Sequence, residues 1–427
     1  MNTRMVAILA AGVGVAATLT LGSLVDRVDA QQRPVPGAGF AAIPGQTGGQ
    51  DIFGPYDAVP NWPRPMSESL PGHENWTYSV TMDVFAESPN RVLVASKGEL
   101  PLLAKRPPTT WLPQLGPGLH FPVFRLPLRQ AGGVIPNGDE LDAPGNGRPG
   151  IDWRWEHSIF AVNAEGKITE TWEQWNKMWV RPHDVEISPY DPQKHIWIAD
   201  AEGHALYKFT NDMQKLVLTL GTPRVPGDDD THFRRPTFLT FMDANTMYLA
   251  DGYDNTRVIK YDMNGKKLLQ WGEKGASGGE KRPGYWFNVH GIGVDPTRRE
   301  VFVNDRNNSR VQIFDENGKY LREWTFGPRP PMDIHNFVVT SDRKLWAADQ
   351  GTHKILGYDL EGHFLYSWGT WGDFKGGFWG VHDFSTDDQG NFYTAEVDKG
   401  GPQKFVPRKG ANPAYLEAKP LRVAWKE

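Results

Sequence analysis

RPTFLTFMDANTMYLADGYDNTRVIKYDMNGKKLLQWG (residues 235–272) is followed by NVHGIGVDPTRREVFVNDRNNSRVQIFDENGKYLREWTFG (residues 288–327), and the two stretches share one plan. In both, short apolar or alternating runs are separated by turn residues, including the pairs Asn264-Gly265 and Asn317-Gly318. Asn-Gly between two such runs is typical of a type I′ β-hairpin. Each stretch therefore predicts a small antiparallel sheet of four strands.

The same unit recurs along most of the chain. Further copies cover 181–221 and 334–369, another begins at 379, and an interrupted copy starts at 79 and resumes at 157. Repetition every 45–54 residues or so, with four strands per unit, is typical of propeller blades. We therefore predict an all-β fold, a six-bladed β-propeller. The core of the repeat, as in ADGYDNTRVIKYDMNGK, resembles NHL repeats.

The first 30 residues have the pattern of an export signal. Arg4 precedes the uncharged run Met5 to Val25, and Val28-Asp29-Ala30 offers small residues for cleavage before Gln31. We expect a secreted or periplasmic protein, with no membrane segment after cleavage. The alternative is an uncleaved anchor, because the apolar run is just long enough to span a bilayer.

The remaining boundaries follow from composition and from the repeats. Residues 31–75 are rich in Pro and Gly and predict a linker leading into a strap over the propeller, which occupies 76–410. The last blade lacks a fourth strand of its own, and a strap strand around Pro55–Asn61 is expected to complete it. Residues 99–156 form an insertion within blade one, and 411–427 a C-terminal tail.

Composition excludes several functional classes. Lys+Arg 46 against Asp+Glu 51 gives a net charge of −5, which argues against nucleic acid or an anionic membrane as a partner. The chain has no cysteine, which excludes disulfides, zinc–thiolate sites, iron–sulfur clusters and thiol nucleophiles. A monomer that acts on a small molecule or a peptide is expected.

Histidines recur at one position of the repeat. The residues that open the first strand of each blade are, in order, Met82, His183, Thr237, His290, His335 and His382. His183, His290 and His382 belong to alternate blades, about 120° apart around the channel of a six-bladed propeller. Three converging imidazoles with a fourth position open are typical of catalytic zinc. His335 shares the position and is an additional candidate ligand.

These blades resemble the peptidyl-α-hydroxyglycine α-amidating lyase family over roughly 79–98 and 157–406. The motifs are RPHDV (181–185), ADGYDNTRV (250–258), NVHGIGV (288–294), NDRNNSRVQIF (304–314) and VHDF (381–384). The resemblance implies catalytic zinc on the three channel histidines. It also implies structural calcium on the Val84 and Val185 carbonyls and the Asp383 carboxylate, with Asp184 as a rival ligand.

The resemblance further implies a catalytic tyrosine at Tyr253 and a channel arginine at Arg306. A phenol acts as a base only with positive charge nearby, which zinc or a guanidinium supplies. The family has a second active-site arginine where this chain has Lys97, which keeps the charge but loses the planar fork that grips a carboxylate. The implied reaction cleaves the C–N bond of an α-hydroxyglycine-type substrate to an amide and glyoxylate.

Two other functions remain open from the sequence. One is a propeller lactonase or related hydrolase, although such channels hold calcium through Glu, Asn and Asp side chains. The other is a non-catalytic NHL interaction module, for which no convergent ligands are expected. The aspartates of the AD/ND motifs recur in most blades and are interpreted as turn-forming residues: Asp200, Asp251, Asp305 and Asp349.

Overall fold

The computed structural model describes residues 49–51, 54–102, 109–111, 120–122, 137–141, 147–327, 332–372 and 374–425. Six sheets of at least four strands dominate these residues, and the prediction of an all-β, six-bladed propeller is confirmed. The helical elements in this part of the chain are short 3₁₀ turns at Met66–Glu68, Glu173–Trp175, Arg306–Asn308 and Pro413–Tyr415. The predicted export signal lies outside the described residues.

Across the described ranges, none of the helical turns has the length and apolar character needed to cross a bilayer.

The first four blades each take their strands in chain order, with the innermost first, and in blade one the insertion separates the second strand from the third. Blade one contains Thr81–Ser88, Arg91–Ser96, Ile159–Val162 and Ile168–Thr171. Blade two contains Pro182–Ile187, Ile196–Asp200, Ala205–Phe209 and Leu216–Leu220. Blade three contains Leu239–Asp243, Thr246–Asp251, Arg257–Asp262 and Lys267–Trp271. Blade four contains Val289–Asp295, Glu300–Asp305, Arg310–Asp315 and Tyr320–Thr325.

The last two blades borrow strands from the N-terminal segment. Blade five contains Ile334–Val339, Lys344–Asp349, Lys354–Asp359 and Phe364–Trp368, with Gly49–Asp51 added in parallel. Blade six contains Val381–Thr386, Phe392–Glu396 and Pro402–Pro407, completed by Tyr56–Ala58 in antiparallel register. The strap strand expected around Pro55–Asn61 is therefore present, and it covers an edge that would otherwise be unpaired.

Within the described ranges, three short strand pairs lie outside the blades. They are Trp76–Tyr78 with Glu99–Pro101, Thr109–Trp111 with His120–Pro122, and Glu273–Lys274 with Tyr285–Trp286. The first two belong to the strap and to the segment inserted between the second and third strands of blade one.

Burial follows the position of a strand within its blade. Ile196–Asp200, a second strand, is buried throughout because neighbouring blades cover both of its faces. Tyr320–Thr325, a fourth strand, alternates between half-buried and exposed residues, as expected of an outer strand with one solvated face. Tryptophans fill the space between blades, and Trp197, Trp286, Trp346 and Trp368 are almost fully buried.

The Asn-Gly turns differ from the prediction. Gly265 and Gly318 have left-handed φ angles of 86° and 80°, but Asn264 and Asn317 do not, so these are not type I′ turns. The hairpin loop is longer than two residues: Asp262 Oδ1 accepts the N–H groups of Asn264 and Lys266. The hairpins are present, and the aspartate cap selects the turn type.

The recurring AD/ND aspartates have the structural role assigned to them. Asp200 is buried, and its carboxylate accepts the N–H groups of Val180, Arg181 and Gly203. Equivalent bonds run from Arg234 N to Asp251 and from Asp333 N to Asp349. Each bond fixes the chain as it enters the innermost strand, and so fixes the position of the channel residues.

The channel has two different ends. The start of the innermost strands carries the histidines. A cavity of about 330 Å³ lies at the other end, lined by apolar residues such as Phe241 and Val294 and covered by the tail segment 417–422. The channel histidines therefore lie at the opposite mouth from this cavity.

Candidate metal centre in the central channel

Three imidazoles from alternate blades meet on the channel axis. His183, His290 and His382 are each the second residue of an innermost strand and are almost fully buried. Their ring centroids form a nearly equilateral triangle, with separations of 5.1, 4.7 and 5.3 Å. One nitrogen from each ring lies within 4.8 Å of the other two, close enough for all three to contact one cation.

Backbone carbonyls fix the tautomer of each ring. The Nδ1 atom of His183 faces Thr237 O at 3.2 Å, that of His290 faces His335 O at 2.6 Å, and that of His382 faces Met82 O at 2.6 Å. A carbonyl only accepts, so each Nδ1 carries the proton and each Nε2 presents a lone pair. His382 Nε2 is buried, and no described residue hydrogen-bonds to it.

Burial keeps these imidazoles neutral. It lowers the pKa of His183 and of His290 well below the ordinary value, and neighbouring positive groups act in the same direction. Burial, followed by the Arg306 guanidinium, lowers the pKa of His382 to about 3. Neutral imidazole is the form that binds a metal, so the donor set is ready for one at physiological pH.

Tyr253 lies directly over this group of donors. Its hydroxyl oxygen is 3.0 Å from His183 Nε2 and 2.8 Å from His290 Nε2. Because both Nε2 atoms are unprotonated, the hydroxyl can donate to only one, and the other faces it lone pair to lone pair. A cation shared by these atoms would relieve that repulsion.

Arg306 and His335 form the next part of the site. The Arg306 guanidinium donates to both Asp333 carboxylate oxygens at 2.8 and 3.1 Å, and it also interacts with Tyr253. It lies 2.6 Å from His335 Nε2. His335 is packed against His382, at a centroid separation of 4.8 Å, but its Nε2 is occupied by the guanidinium. We therefore do not propose His335 as a ligand.

Lys97 is buried at the edge of the insertion. Its ammonium donates to Asn137 Oδ1 at 2.9 Å, so the structure links this candidate residue to the segment 137–141.

A layer of oxygen donors lies one residue further along the innermost strands. Asp83, Asp184 and Asp383 each follow a residue of the histidine position, and Asn336 donates to Asp383 Oδ1 at 2.6 Å. Burial raises the pKa of the three carboxyls well above the ordinary value, and negative neighbours add to the effect. Three buried carboxyls with so little positive charge between them favour a bound cation.

The calcium residues implied by the sequence lie in this layer. Asp383 belongs to it, and Val84 and Val185 are buried next to it. Both valines donate their N–H groups to the Asp83 carboxylate, at 2.7 and 2.5 Å. Sequence reasoning missed Asp83, although its place after Met82 matches that of Asp184 after His183 and could have revealed it.

Two further arginines were missed. Arg181 and Arg235 lie over the Tyr253 ring, with guanidinium carbons 5.4 and 4.6 Å from its centroid. Both also pair with Glu202. Each stands two residues before the histidine position of its blade, as an Arg-Pro pair, and aligning the repeats there would have identified them.

Comparison with known proteins agrees with the fold and with the resemblance. A protein-family model described as a 6-bladed beta-propeller matches residues 292–370. Peptidyl-alpha-hydroxyglycine alpha-amidating lyase 1 of Drosophila melanogaster is 28% identical over 62% of this chain and 51% of the relative. The probable peptidyl-alpha-hydroxyglycine alpha-amidating lyase of Caenorhabditis elegans is 32% identical over 47% of this chain and 53% of the relative.

Mouse NHL repeat-containing protein 3 is 32% identical over 35% of this chain and 44% of the relative. The chain spans about half the length of the two lyases it matches. It is therefore a six-bladed β-propeller similar in sequence to the peptidyl-α-hydroxyglycine α-amidating lyases.

Proposed function

We propose that this protein is a zinc-dependent lyase that cleaves the C–N bond of an α-hydroxyglycine-type substrate to give an amide and glyoxylate. The observation that carries the proposal is the convergence of three imidazoles whose Nδ1 atoms are each fixed by a backbone carbonyl. The similarity to amidating lyases supports the reaction class.

His183, His290 and His382 would hold the zinc. The buried His382 Nε2, with no partner among the described residues, fits such a role because an orphaned lone pair is costly without a cation. When bound, zinc would supply Lewis acidity that lowers the pKa of a hydroxyl group beside it.

Tyr253 would move the proton. Tyr253 would act from its phenolate form: its oxygen would accept the proton of the substrate α-hydroxyl, and the carbonyl of glyoxylate would form as the C–N bond breaks. The departing amide nitrogen takes up the same proton, so the reaction neither consumes nor releases one. Arg306, held in place by Asp333, would stabilise the phenolate and the substrate carboxylate.

The remaining positive groups at this mouth would help to bind the substrate carboxylate. Lys97 would offer a single positive charge. Arg181 and Arg235, close to Tyr253, would offer planar guanidinium groups that can bind a carboxylate through two hydrogen bonds. Together these groups would compensate for the family arginine that Lys97 replaces.

Calcium would occupy the oxygen-donor layer. The Val84 and Val185 carbonyls and the Asp383 carboxylate are the proposed ligands, with Asp83 and Asp184 as acidic neighbours. Hard oxygen donors suit calcium as imidazoles suit zinc. Its role would be structural, joining the innermost strands of blades one, two and six.

We further propose that the protein is exported, monomeric and active on a small-molecule or peptide α-hydroxy substrate. Nucleic acid is not a proposed partner, because the net charge of −5 opposes it.

The test combines metal analysis with a glyoxylate-release assay on N-acyl-α-hydroxyglycines. The His183→Ala and His290→Ala variants should each lose one equivalent of zinc and at least about a thousandfold in rate, since zinc supplies the main electrostatic stabilisation. His363→Ala is the control, because that half-exposed histidine pairs only with the nearby Asp359 at 2.8 Å. Full zinc content in both channel variants would refute the proposal.

A calcium-dependent lactonase is the second candidate, favoured by the buried layer of Asp83, Asp184, Asn336 and Asp383. Lactone hydrolysis that needs calcium and survives His183→Ala would support it over the lyase. If wild-type protein binds no metal in the channel, an interaction module is indicated instead.

A further inference from the structure

A second group of metal-ligand side chains lies outside the channel, at the base of the insertion in blade one. It contains two histidines and two glutamates: His73, Glu99, Glu156 and His157. One donor atom from each lies within 4.8 Å of a donor atom from each of the others. Three of the four residues are buried, and Glu156 is exposed at the edge.

The buried Glu99 carboxylate is the centre of this group. Its Oε2 lies 2.8 Å from His73 Nδ1, and its Oε1 lies 2.5 Å from His157 Nδ1. The two rings meet edge to face, with centroids 5.1 Å apart. His157 has a left-handed φ of 49°, which is costly for a histidine and which the surrounding structure must hold in place.

The local charge favours a cation. Glu99 and Glu156 belong to the group, and Glu173 Oε1 lies 3.3 Å from His157 Nε2. Among the described residues, the positive group that contacts this cluster is the Arg154 guanidinium. It lies 3.3 Å from His73 Nδ1 and stacks on Trp76.

An ordinary ion pair between a histidine and a carboxylate involves fewer side chains than this group does. Elsewhere in the described chain, histidines pair with one carboxylate three or four residues away, as His195 does with Asp191 at 2.6 Å. Here two imidazoles from distant segments, 26 and 58 residues from Glu99, meet on one fully buried carboxylate. One protonated histidine would neutralise Glu99, and the second imidazole and Glu156 then remain as further donors.

We propose that His73, Glu99, Glu156 and His157 form a second metal site that binds a divalent transition-metal ion, preferentially zinc. Two imidazoles and two carboxylates suit zinc better than calcium or magnesium, which prefer oxygen alone. Glu99 is the first residue of the insertion and Glu156 is its last, with His157 directly after it, so the ion would tie the two ends of the insertion together and attach the strap through His73. Its role is structural.

The test is zinc binding by chelator-treated full-length protein that carries His183→Ala and His290→Ala, so that channel binding is removed. This protein should still bind about one zinc per chain by calorimetry and elemental analysis. Adding His73→Gln should weaken that binding at least about tenfold, as losing metal-site partners typically does. Cobalt substitution should give a visible absorption band that His73→Gln abolishes.

His195→Gln is the matched control, because His195 also contacts a carboxylate and is mostly buried, but lies outside the group. Glu156→Gln changes an exposed side chain and should leave the fold intact, and it too should weaken binding. The proposal is overturned if the channel-deficient protein binds no zinc, or if His73→Gln and Glu156→Gln bind it as tightly as the control. Neither result depends on glyoxylate release.

Discussion

Tyr253 is held in a backbone conformation that few tyrosines adopt. Its φ is 46°, in the left-handed region, and a Cβ on the preceding Gly252 would collide with the Val289 carbonyl. The Asp251 carboxylate anchors the start of this turn through Arg234 N and the Asn255 and Arg257 side chains. Such strain is typical of functional positions, since the surrounding structure must maintain it.

Tyr253→Phe should therefore separate chemistry from structure. The phenyl ring keeps its packing on His183 and His290 and its contact with Arg235, but the hydroxyl that would carry the proton is lost. We expect the rate of glyoxylate release to fall about 10²- to 10⁴-fold, with zinc content unchanged.

Tyr285→Phe is the matched control, because Arg282 also lies over that ring, 3.8 Å from its centroid, and Tyr285 belongs to a short strand pair outside the blades. Equal rates for the two variants would show that the Tyr253 hydroxyl takes no part in the reaction.

At the residue scale, aligning the repeats was enough to predict which histidines share one position of the blades. Equivalent positions in successive blades share one height, so one alignment located His183, His290 and His382 together. The same alignment would have located Arg181, Arg235 and Asp83, but their roles depend on side-chain direction and on contacts between blades, which the repeat pattern does not show. The Lys97 contact with Asn137 depends on the path of the insertion, which the repeat does not encode.

At the scale of elements, the strand Tyr56–Ala58 is the piece that completes blade six. Tyr56 is buried against Trp368 and Phe392, at centroid distances of 5.4 and 5.3 Å, and its hydroxyl accepts the Glu417 N–H at 3.0 Å. Asp57, the next residue, points outward and makes an exposed pair with Arg408. The two faces of one strand thus differ sharply in burial.

Tyr56→Ala should lower the free energy of unfolding by about 3–5 kcal/mol, because it removes a buried aromatic ring and leaves a cavity. Asp57→Ala, which only breaks an exposed ion pair, should cost under about 1 kcal/mol. Urea denaturation of both variants measures the difference. Similar losses for the two would mean that the strand contributes only its backbone pairing.

Strand order was readable from the sequence, and some local details were not. Alternating and apolar runs gave the four strands of each blade, and the missing strand of blade six pointed to the strap. The predicted turn type of the Asn-Gly pairs was wrong, because the aspartate cap made by Asp262 was not recognised as part of the loop. Gly49–Asp51 was not foreseen, since GQD has no apolar pattern that would predict a strand.

At the scale of the whole molecule, the tail covers the far end of the channel and buries a carboxyl there. Burial raises the pKa of Glu417 well above the ordinary value, and the charges of Asp383 and Asp342 add to this. Glu417 Oε2 has no hydrogen-bond partner among the described residues. In the folded protein this group therefore holds its proton over a wider pH range than in the unfolded chain.

This difference fixes the sign of a pH effect. A raised pKa in the folded state means that folding is favoured at low pH and that stability is lost as pH rises above the unfolded pKa, by up to about 1.4 kcal/mol per unit. Glu417→Gln removes this penalty. The free energy of unfolding of the variant, minus that of wild type, should therefore be larger at pH 8 than at pH 5, so that the variant gains stability relative to wild type as the pH rises.

Urea titrations at both pH values, with chelator present, give the comparison. An equal difference between variant and wild type at pH 5 and pH 8 would mean that Glu417 ionises normally in the folded protein.

Tyr56–Ala58 pairs with residues about 350 positions later in the chain. A growing polypeptide exposes the first partner long before the second is synthesised, so the toroid stays open until residue 407 is available. During that interval the strand Tyr56–Ala58 has no partner and is vulnerable to proteases and to pairing with other chains. Closure of the ring therefore has to wait for residue 407, and any shortened product that stops before that point stays permanently open.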